Sequence, residues 1–396
     1  MALSRFVAAG TLSNGSAAVD LYSGSQSEST SDVELADING DGNIDIIVAG
    51  QGSNDEYSSG TGDGLSLLLG NGDGTFQTPS TFSISPNAPS GADSEYGNDV
   101  ELADLNGDGV LDVVVAGGSN YYYGGSNGGI AVLLGDGLGG LETAVNYASN
   151  IFQETGLDEN NATLALGDVD NDGFVDILVG GGAGGAGAAP TSLSLLRGNG
   201  DGSFQAAVNF SSGLGYTYLG SPGSIYYGTV YDRTNDVKLA DLDNDGNLDI
   251  IAVATGQNST TSVGTGHGLS ILLGNGDGTF ETPNTYAIGI SSYTYPNEVQ
   301  VADLDGDGIL DVVAAESSTG LVFFAGNGDG TFAEGRAISD PFNQGVRDFA
   351  LVNLTDVVAA EVGENAAVAR GQLIPGPLKS ALSLPIPTPT TRTPIP

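Results

Sequence analysis

Short apolar runs and short polar loops alternate along nearly the whole chain. Runs such as "DIIVA", "DVVVA" and "DILVG" are rich in β-branched residues, and each follows an alternating segment such as "VELAD". They are too short for helices and are bounded by glycine, so they read as strands. Their near-continuous apolar character predicts sheets covered on both faces. None approaches the roughly 18 residues of a membrane span.

The loops between the runs repeat. "DINGDGNID" starts at 37, "DLNGDGVLD" at 104, "DVDNDGFVD" at 168, "DLDNDGNLD" at 241 and "DLDGDGILD" at 303, giving spacings of 67, 64, 73 and 62 residues. A second motif follows each, about thirty residues on in the first four units and 23 in the fifth. It reads "GNGDGTF" at 70, 274 and 326, "GNGDGSF" at 198 and an eroded "GDGLGGL" at 135. The Asn-Gly and Asp-Gly pairs suit tight hairpin turns with positive φ. Two turns per unit imply two hairpins and four strands, and four-stranded units stacked face to face make an all-β fold, the β-propeller.

The ends set the blade number. "RDFALVNLTDVVAAE" aligns with "VQVADLDGDGILDVVAAE" once five loop residues are removed, with Asn353 and Asp356 at the places of the first and last acids. This sixth unit continues into "NAAVARGQL" and lacks a fourth strand. "SRFVAAGTL" near the start supplies one, which predicts six blades closed by the N-terminal strand, seven being the alternative. The propeller then spans residues 1–374. Residues 375–396 form a tail with seven of the 15 prolines, no acid, Lys379 and Arg392. Such a tail favours extended polyproline II. As a basic apolar strap beside an acidic body it would mediate self-association; a linker or an O-glycosylated stalk is the plainer reading.

Charge narrows the partners. The 396 residues include nine Lys and Arg against 49 Asp and Glu, a net charge of -40. That field repels nucleic acid and anionic membrane surfaces. With no cysteine there is neither a disulfide framework nor a thiolate zinc site. "MALSRFVAAG" lacks the charged and apolar regions of a signal peptide, so any export signal is expected to have been removed or to lie outside this chain.

The acidic loops offer oxygen at positions 1, 3, 5 and 9, a glycine at 6 and a backbone carbonyl at 7, the donor set of calcium. The candidate ligands are Asp37, Asn39, Asp41, Asn43 and Asp45; Asp104, Asn106, Asp108, Val110 and Asp112; and Asp168, Asp170, Asp172, Phe174 and Asp176. In the last two loops they are Asp241, Asp243, Asp245, Asn247 and Asp249, and Asp303, Asp305, Asp307, Ile309 and Asp311. An EF-hand needs a bidentate Glu at position 12, where this chain has Val48, Val115, Val179, Ala252 and Ala314. A metal-free Asx-rich turn explains one such loop, not five with the ninth acid always present.

Like charges sharpen the argument. Two carboxylates at 4 Å repel by about 1 kcal/mol in water and roughly 4 at an effective dielectric of 20. Sites of extracellular affinity would add roughly 0.4 to 1.4 kcal/mol each at calcium one to ten times the dissociation constant. Five could sum to roughly 2 to 7 kcal/mol, comparable with a typical total stability. Sites that weak would be largely empty in cytosol, which predicts an extracellular or cell-surface protein.

The pairing of "DLNGDGVLDVVVAGG" with "LLLGNGDGTFQ" resembles the FG-GAP/VCBS-type repeat, the calcium-binding propeller unit also found in integrin α heads and in secreted bacterial proteins. The resemblance covers residues 1 to about 374 and implies calcium in the hairpin loops, with protein or glycan ligands on the propeller surface. Six units stand where seven are usual, and the sixth loop has no ligands, so calcium is expected at five positions.

Connectivity puts the acidic loops and the "GNGDG" turns on one face and the long connections on the other. Those connections hold Tyr57, Tyr96, Tyr218 and Tyr231, and the ligand-contact candidates Tyr121, Tyr122, Tyr123, Tyr226, Tyr227, Tyr293 and Tyr295. Tyrosine among Gly, Ser and Asn suits a recognition surface, although each could equally pack its own loop. Enzyme readings are weaker. His267 is the one histidine, and loop pairs such as Asp55 with Glu56 or Asp93 with Glu95 would serve a glycosidase only across a bound sugar. "GGGAGG" at 180 leads into a strand start rather than a nucleotide-binding helix. The expectation is a non-enzymatic module for adhesion, recognition or surface assembly, with a lectin or a polysaccharide-processing enzyme as alternatives.

Overall fold

The computed structural model describes residues 29–53, 64–84, 94–120, 129–149, 162–185, 191–214, 216–218, 230–254, 262–264, 268–288, 296–316, 320–339, 348–353, 356–360 and 368–372. These are all-β and form a β-propeller. Blade one comprises Ser29–Ala36, Asp45–Ser53, Leu65–Leu68 and Ser80–Phe82; blade two, Ser94–Ala103, Asp112–Asn120, Gly129–Leu133 and Val145–Tyr147. Blade three comprises Thr163–Gly167, Asp176–Gly180, Leu193–Leu196 and Val208–Phe210. Blade four is Val230–Ala240, Asp249–Ala254, Gly268–Leu272 and Asn284–Ala287; blade five, Pro296–Ala302, Asp311–Glu316, Gly320–Phe324 and Arg336–Ser339. Within each blade the strands pair antiparallel in chain order.

The apolar runs are the second strands, and their period of two serves two neighbours at once. Val113 and Val115 point into the core between blades one and two, whereas Val114 and Ala116 point into that between two and three. Ile251 and Val253 face blade five while Ile250 and Ala252 face blade three. Every residue of Asp249–Ala254 and Asp311–Glu316 is buried, as the unbroken runs predict. In blades three, four and five the aromatic that ends the "GNGDG" motif clasps the preceding blade. Tyr147 meets Phe204 and Phe210 meets Phe280, both at 5.5 Å between centroids, and Tyr286 meets Phe332 at 5.9 Å. In the eroded copy Leu141 takes that place in the core that also contains Phe82.

First strands of successive blades adjoin and line the inside of the ring. Each of four carries a register shift just before an acid, at Asp32, Asp99, Asp236 and Glu298. Three of these acids bolt one blade to the next. Asp32 accepts the N–H of Val100 at 3.0 Å, Asp99 that of Leu164 at 2.6 Å and Asp236 that of Val299 at 2.8 Å. Blade three has Thr163 at this place, and its hydroxyl donates to Asp236 at 3.0 Å. In these four blades the acid stands five residues before the loop's first Asp.

A sixth unit is present as Asp348–Asn353, Asp356–Ala360 and Val368–Gln372, with Asn353 paired to Asp356 across a short connection and no acidic loop. The proposed closing strand, the tail, His267 and the acid pairs Asp55/Glu56 and Asp93 lie outside the described residues. On the face opposite the acidic loops, extensions of the blades form extra ladders. Gln51–Ser53 pairs with residues 94–96, and Gly182–Gly185, within the glycine-rich stretch, pairs with the start of blade four. Tyr216–Tyr218 joins that ladder and pairs with Ser262–Gly264.

Ile46, Val48 and Leu68 are buried on the side of blade one turned away from blade two. A ring closed through a sixth blade covers that side, so deletion of residues 1–12 is expected to lower the melting temperature by roughly 5 °C or more. Calorimetry of the truncated and full chains checks this; equal melting temperatures would remove the closing strand.

Candidate metal loops

Each acidic loop sits between the first and second strands, and its ninth residue opens the second strand. Alanine or glycine precedes the loop and pairs with that ninth residue, as in Ala36 with Asp45 and Gly167 with Asp176. The turn needs two left-handed residues. Position 6 is always glycine, with φ from 84 to 90°, and position 4 is Gly40, Gly107 or Gly306, or else Asn171 (φ 58°) or Asn244 (φ 60°). Asparagine tolerates this region because its side chain bonds locally.

The first acid ties the loop together. Asp168 accepts the N–H groups of Asp172 and Gly173 at 3.1 and 2.9 Å, and Asp241 those of Asp245 and Gly246, both at 3.1 Å. Asp37 and Asp104 do likewise in their loops, and Asp303 accepts the N–H groups of Gly306 and Gly308. The fifth acid folds back on position 7, as in Asp172 accepting the Phe174 N–H at 2.9 Å.

The ninth acid has a second role. Asp45 accepts the N–H of Ile38 at 3.0 Å with one oxygen and that of Gly70, the first residue of the "GNGDG" turn, at 2.7 Å with the other. The same pair of hydrogen bonds recurs at Asp112, Asp176, Asp249 and Asp311. All five are at most 1 % exposed. The two turns therefore share a face, as the connectivity predicts. The approach leaves no room for a side chain at Gly70 or Gly274, where a Cβ would collide with the carbonyls of Ile44 and Leu248. The "GNGDG" turn is wider than a two-residue hairpin, since Gly70 bridges to Phe76 and the Asn71 N–H donates to the Thr75 carbonyl.

Among the described residues, Asp168/Asp170/Asp176, Asp241/Asp243/Asp249 and Asp303/Asp305/Asp311 bring carboxylate oxygens within 4.8 Å of one another, and these groups could hold a metal ion. They are positions 1, 3 and 9. Loops one and two have Asn39 and Asn106 at position 3 and form no such trio. Burial is the largest influence on four of the ninth acids. It pushes Asp176 and Asp249 up to about 6, and raises Asp112 and Asp311, against the pull of their backbone donors. Nearby loop carboxylates add to the rise. Asp170 Oδ1 is buried without a hydrogen-bond partner. Desolvated, crowded carboxylates with a spare oxygen fit a hard divalent cation.

A second acidic group lines the ring interior. Burial pushes Glu101 up to about 7, while Lys238 pulls it down and Glu34, Asp32 and Asp236 push it further up. Asp99 rises well above its ordinary value through burial and the Asp32 carboxylate. Lys238 lies 3.7 Å from Asp236, and despite its own burial these acids hold its ammonium firmly charged. The seven ligand-contact tyrosines lie outside the described residues; only the backbones of Tyr96, Tyr218 and Tyr231 are placed, on the ladders of the opposite face.

No curated protein matches this chain. A family described as FG-GAP-like repeat matches residues 37–115, 241–314 and 303–358, which leaves the third loop outside the matched segments. Similar solved structures include an Agrocybe aegerita lectin studied for recognition of non-reducing terminal N-acetylglucosamine, at 21% identity and TM-score 0.48, covering 87% of this chain and 80% of that one. The Dos1 propeller is 10% identical with TM-score 0.48, covering 86% of this chain and 67% of its own. The exotype rhamnogalacturonan lyase YesX is 17% identical with TM-score 0.43, covering 85% and 54%.

Two outcomes follow from this geometry. Asp249→Ala strands the N–H groups of Leu242 and Gly274, so it should cost roughly 2–4 kcal/mol even in chelator, whereas Asp243→Asn should change only the metal-dependent part. Denaturant titrations of both variants with and without chelator check this. Glu101 has a folded pKa above its ordinary 4.5, so its contribution is full below about pH 4.5 and lost as pH rises through about 7. Glu101→Gln should therefore raise the melting temperature at pH 8 and flatten its fall between pH 5 and 8.

Proposed function

From the premise that this chain is an FG-GAP-like repeat β-propeller, we propose that it is a non-enzymatic, calcium-stabilised module of the cell exterior, acting in adhesion, recognition or surface assembly. One observation carries the reading: the same acidic loop, fused through its ninth carboxylate to the neighbouring turn, recurs in five consecutive blades. Calcium, when bound, supplies the positive charge these loops lack. Asp168, Asp170 and Asp176, and their counterparts in loops four and five, would hold it. In loops one and two the donors would be Asp37, Asn39, Asp41 and Asp45, and Asp104, Asn106, Asp108 and Asp112, with the carbonyl of position 7 in every loop.

The donor count of the loops supports the exterior location. Loops with three or four carboxylates, open to solvent on one side, match the weaker extracellular range of calcium sites, which cytosolic calcium would leave empty. Protein or glycan ligands are assigned to the face opposite the acidic loops, where the tyrosine-rich connections leave the blades, and the Pro-rich tail is assigned to self-association. No helix among the described residues is long and apolar enough to cross a membrane.

A second reading has one observation behind it. Glu101, with a pKa near 7 and facing Lys238, has the protonation behaviour of an acid/base residue. Product release from polysaccharides that disappears in Glu101→Gln would favour an enzyme over a binding module.

Thermal unfolding is the direct test of the first reading. Millimolar calcium should raise the melting temperature by several degrees over chelator, in line with roughly 2 to 7 kcal/mol spread over five sites. Identical melting curves would leave the loops as plain turns. A glycan array then separates a lectin from an assembly subunit.

A further inference from the structure

The third loop differs from the others in one neighbour. In blades one, two and four the residue before this turn reaches the turn of the next blade: Leu69 lies against Gly139, Leu134 against Gly202 and Leu273 against Gly330. Blade three has Arg197 at this place, and it lies against Gly278. Its guanidinium Nη2 donates to the carbonyl of Asp277 in blade four at 2.9 Å. Its Nε lies 3.6 Å from Asp170 Oδ2, inside its own blade's acidic loop. Neither that Nε nor Asp170 Oδ1 has a hydrogen-bond partner, though both are buried.

Loop three is bonded to blade four elsewhere too. The Asn171 amide donates to Asn247 Oδ1 at 2.8 Å, and the Gly278 N–H to the Val169 carbonyl at 3.3 Å. Arg197 is thus fixed on the far side by the next blade and cannot swing away from Asp170 without breaking its bond to Asp277.

Resting on the calcium reading above, we propose that Arg197 is a positioning residue that sets the third site apart, turning Asp170 Oδ1 toward the ion while its fixed positive charge weakens the site relative to loops four and five. Affinity in such loops follows the charge of the donor set. Loops one and two offer three carboxylates, with Asn39 or Asn106 at position 3. Loops four and five offer four. Loop three also has four, but the guanidinium cancels one. The ion pair of Lys238 with Asp236 lies on a first strand rather than in a loop. The sites therefore fall into a tight pair, four and five, and a weaker trio. A unit charge about 6 Å from a divalent ion in a water-like dielectric changes affinity by about tenfold.

The test is calorimetric titration of the full chain with calcium chloride. The parent should show two tight sites, and Arg197→Leu, which installs the side chain of blades one, two and four, should show three. Arg197→Lys keeps the charge and should stay at two. Circular dichroism in chelator confirms that each variant is folded. If Arg197→Leu leaves the number of tight sites at two, or if the parent already shows three, the role of Arg197 is overturned while the calcium reading stands. A parent that takes up no calcium overturns both.

Discussion

The structure depends on a buried carboxylate. In each of the first five blades the ninth acid of the loop accepts two backbone N–H groups, one from its own hairpin and one from the turn of the next hairpin. A four-stranded blade is two hairpins that nothing covalent aligns at this end. The acid aligns them, and in doing so demands a glycine at the start of the second turn, because the chains approach too closely for a Cβ. Charge is the cost. Burial pushes the Asp176 and Asp249 carboxyls up to about 6. A carboxylate that must be ionised, buried and surrounded by other carboxylates is an arrangement that a bound cation relieves. In this way one side chain links the fold of the blade to the chemistry of the loop.

Between blades the devices change with distance from the axis. Near the axis, single carboxylates reach from one first strand to the backbone of the next, with Thr163 substituting in blade three. Midway, the alternating second strands form shared apolar cores, each residue worth roughly 1.5–3 kcal/mol on full burial. At the turns, an aromatic ring from one blade meets an aromatic ring of its neighbour. Polar bolts fix the register of neighbours, and apolar contacts supply most of the cohesion.

The same repeat leaves room for difference. Asparagine replaces aspartate at position 3 of two loops, and arginine replaces leucine beside a third. None of these changes disturbs the hairpin, because the turn is made by glycine, by asparagine and by acids 1 and 9. A propeller can therefore vary the charge of its loops blade by blade at little expense to its fold.

The sequence by itself determined the strands, the repeat, the two turns per unit, the acidless sixth hairpin and the loop residues, since period-two burial and left-handed turn residues are local requirements written directly into residue order. Tertiary structure alone decided which carboxylates meet. Positions 1, 3 and 9 gather in loops three to five, while acid 5 folds back on the backbone, a choice made by the three-dimensional path of the turn. The inner acids Asp32, Asp99 and Asp236 were regular in spacing yet unread. Their partners are backbone groups 63 to 68 residues away, on strands brought alongside only when the ring forms. Arg197 likewise looks like an ordinary surface charge until blade four lies against it. Local patterns fix elements, but contacts between elements from different blades exist only once the ring has placed them side by side.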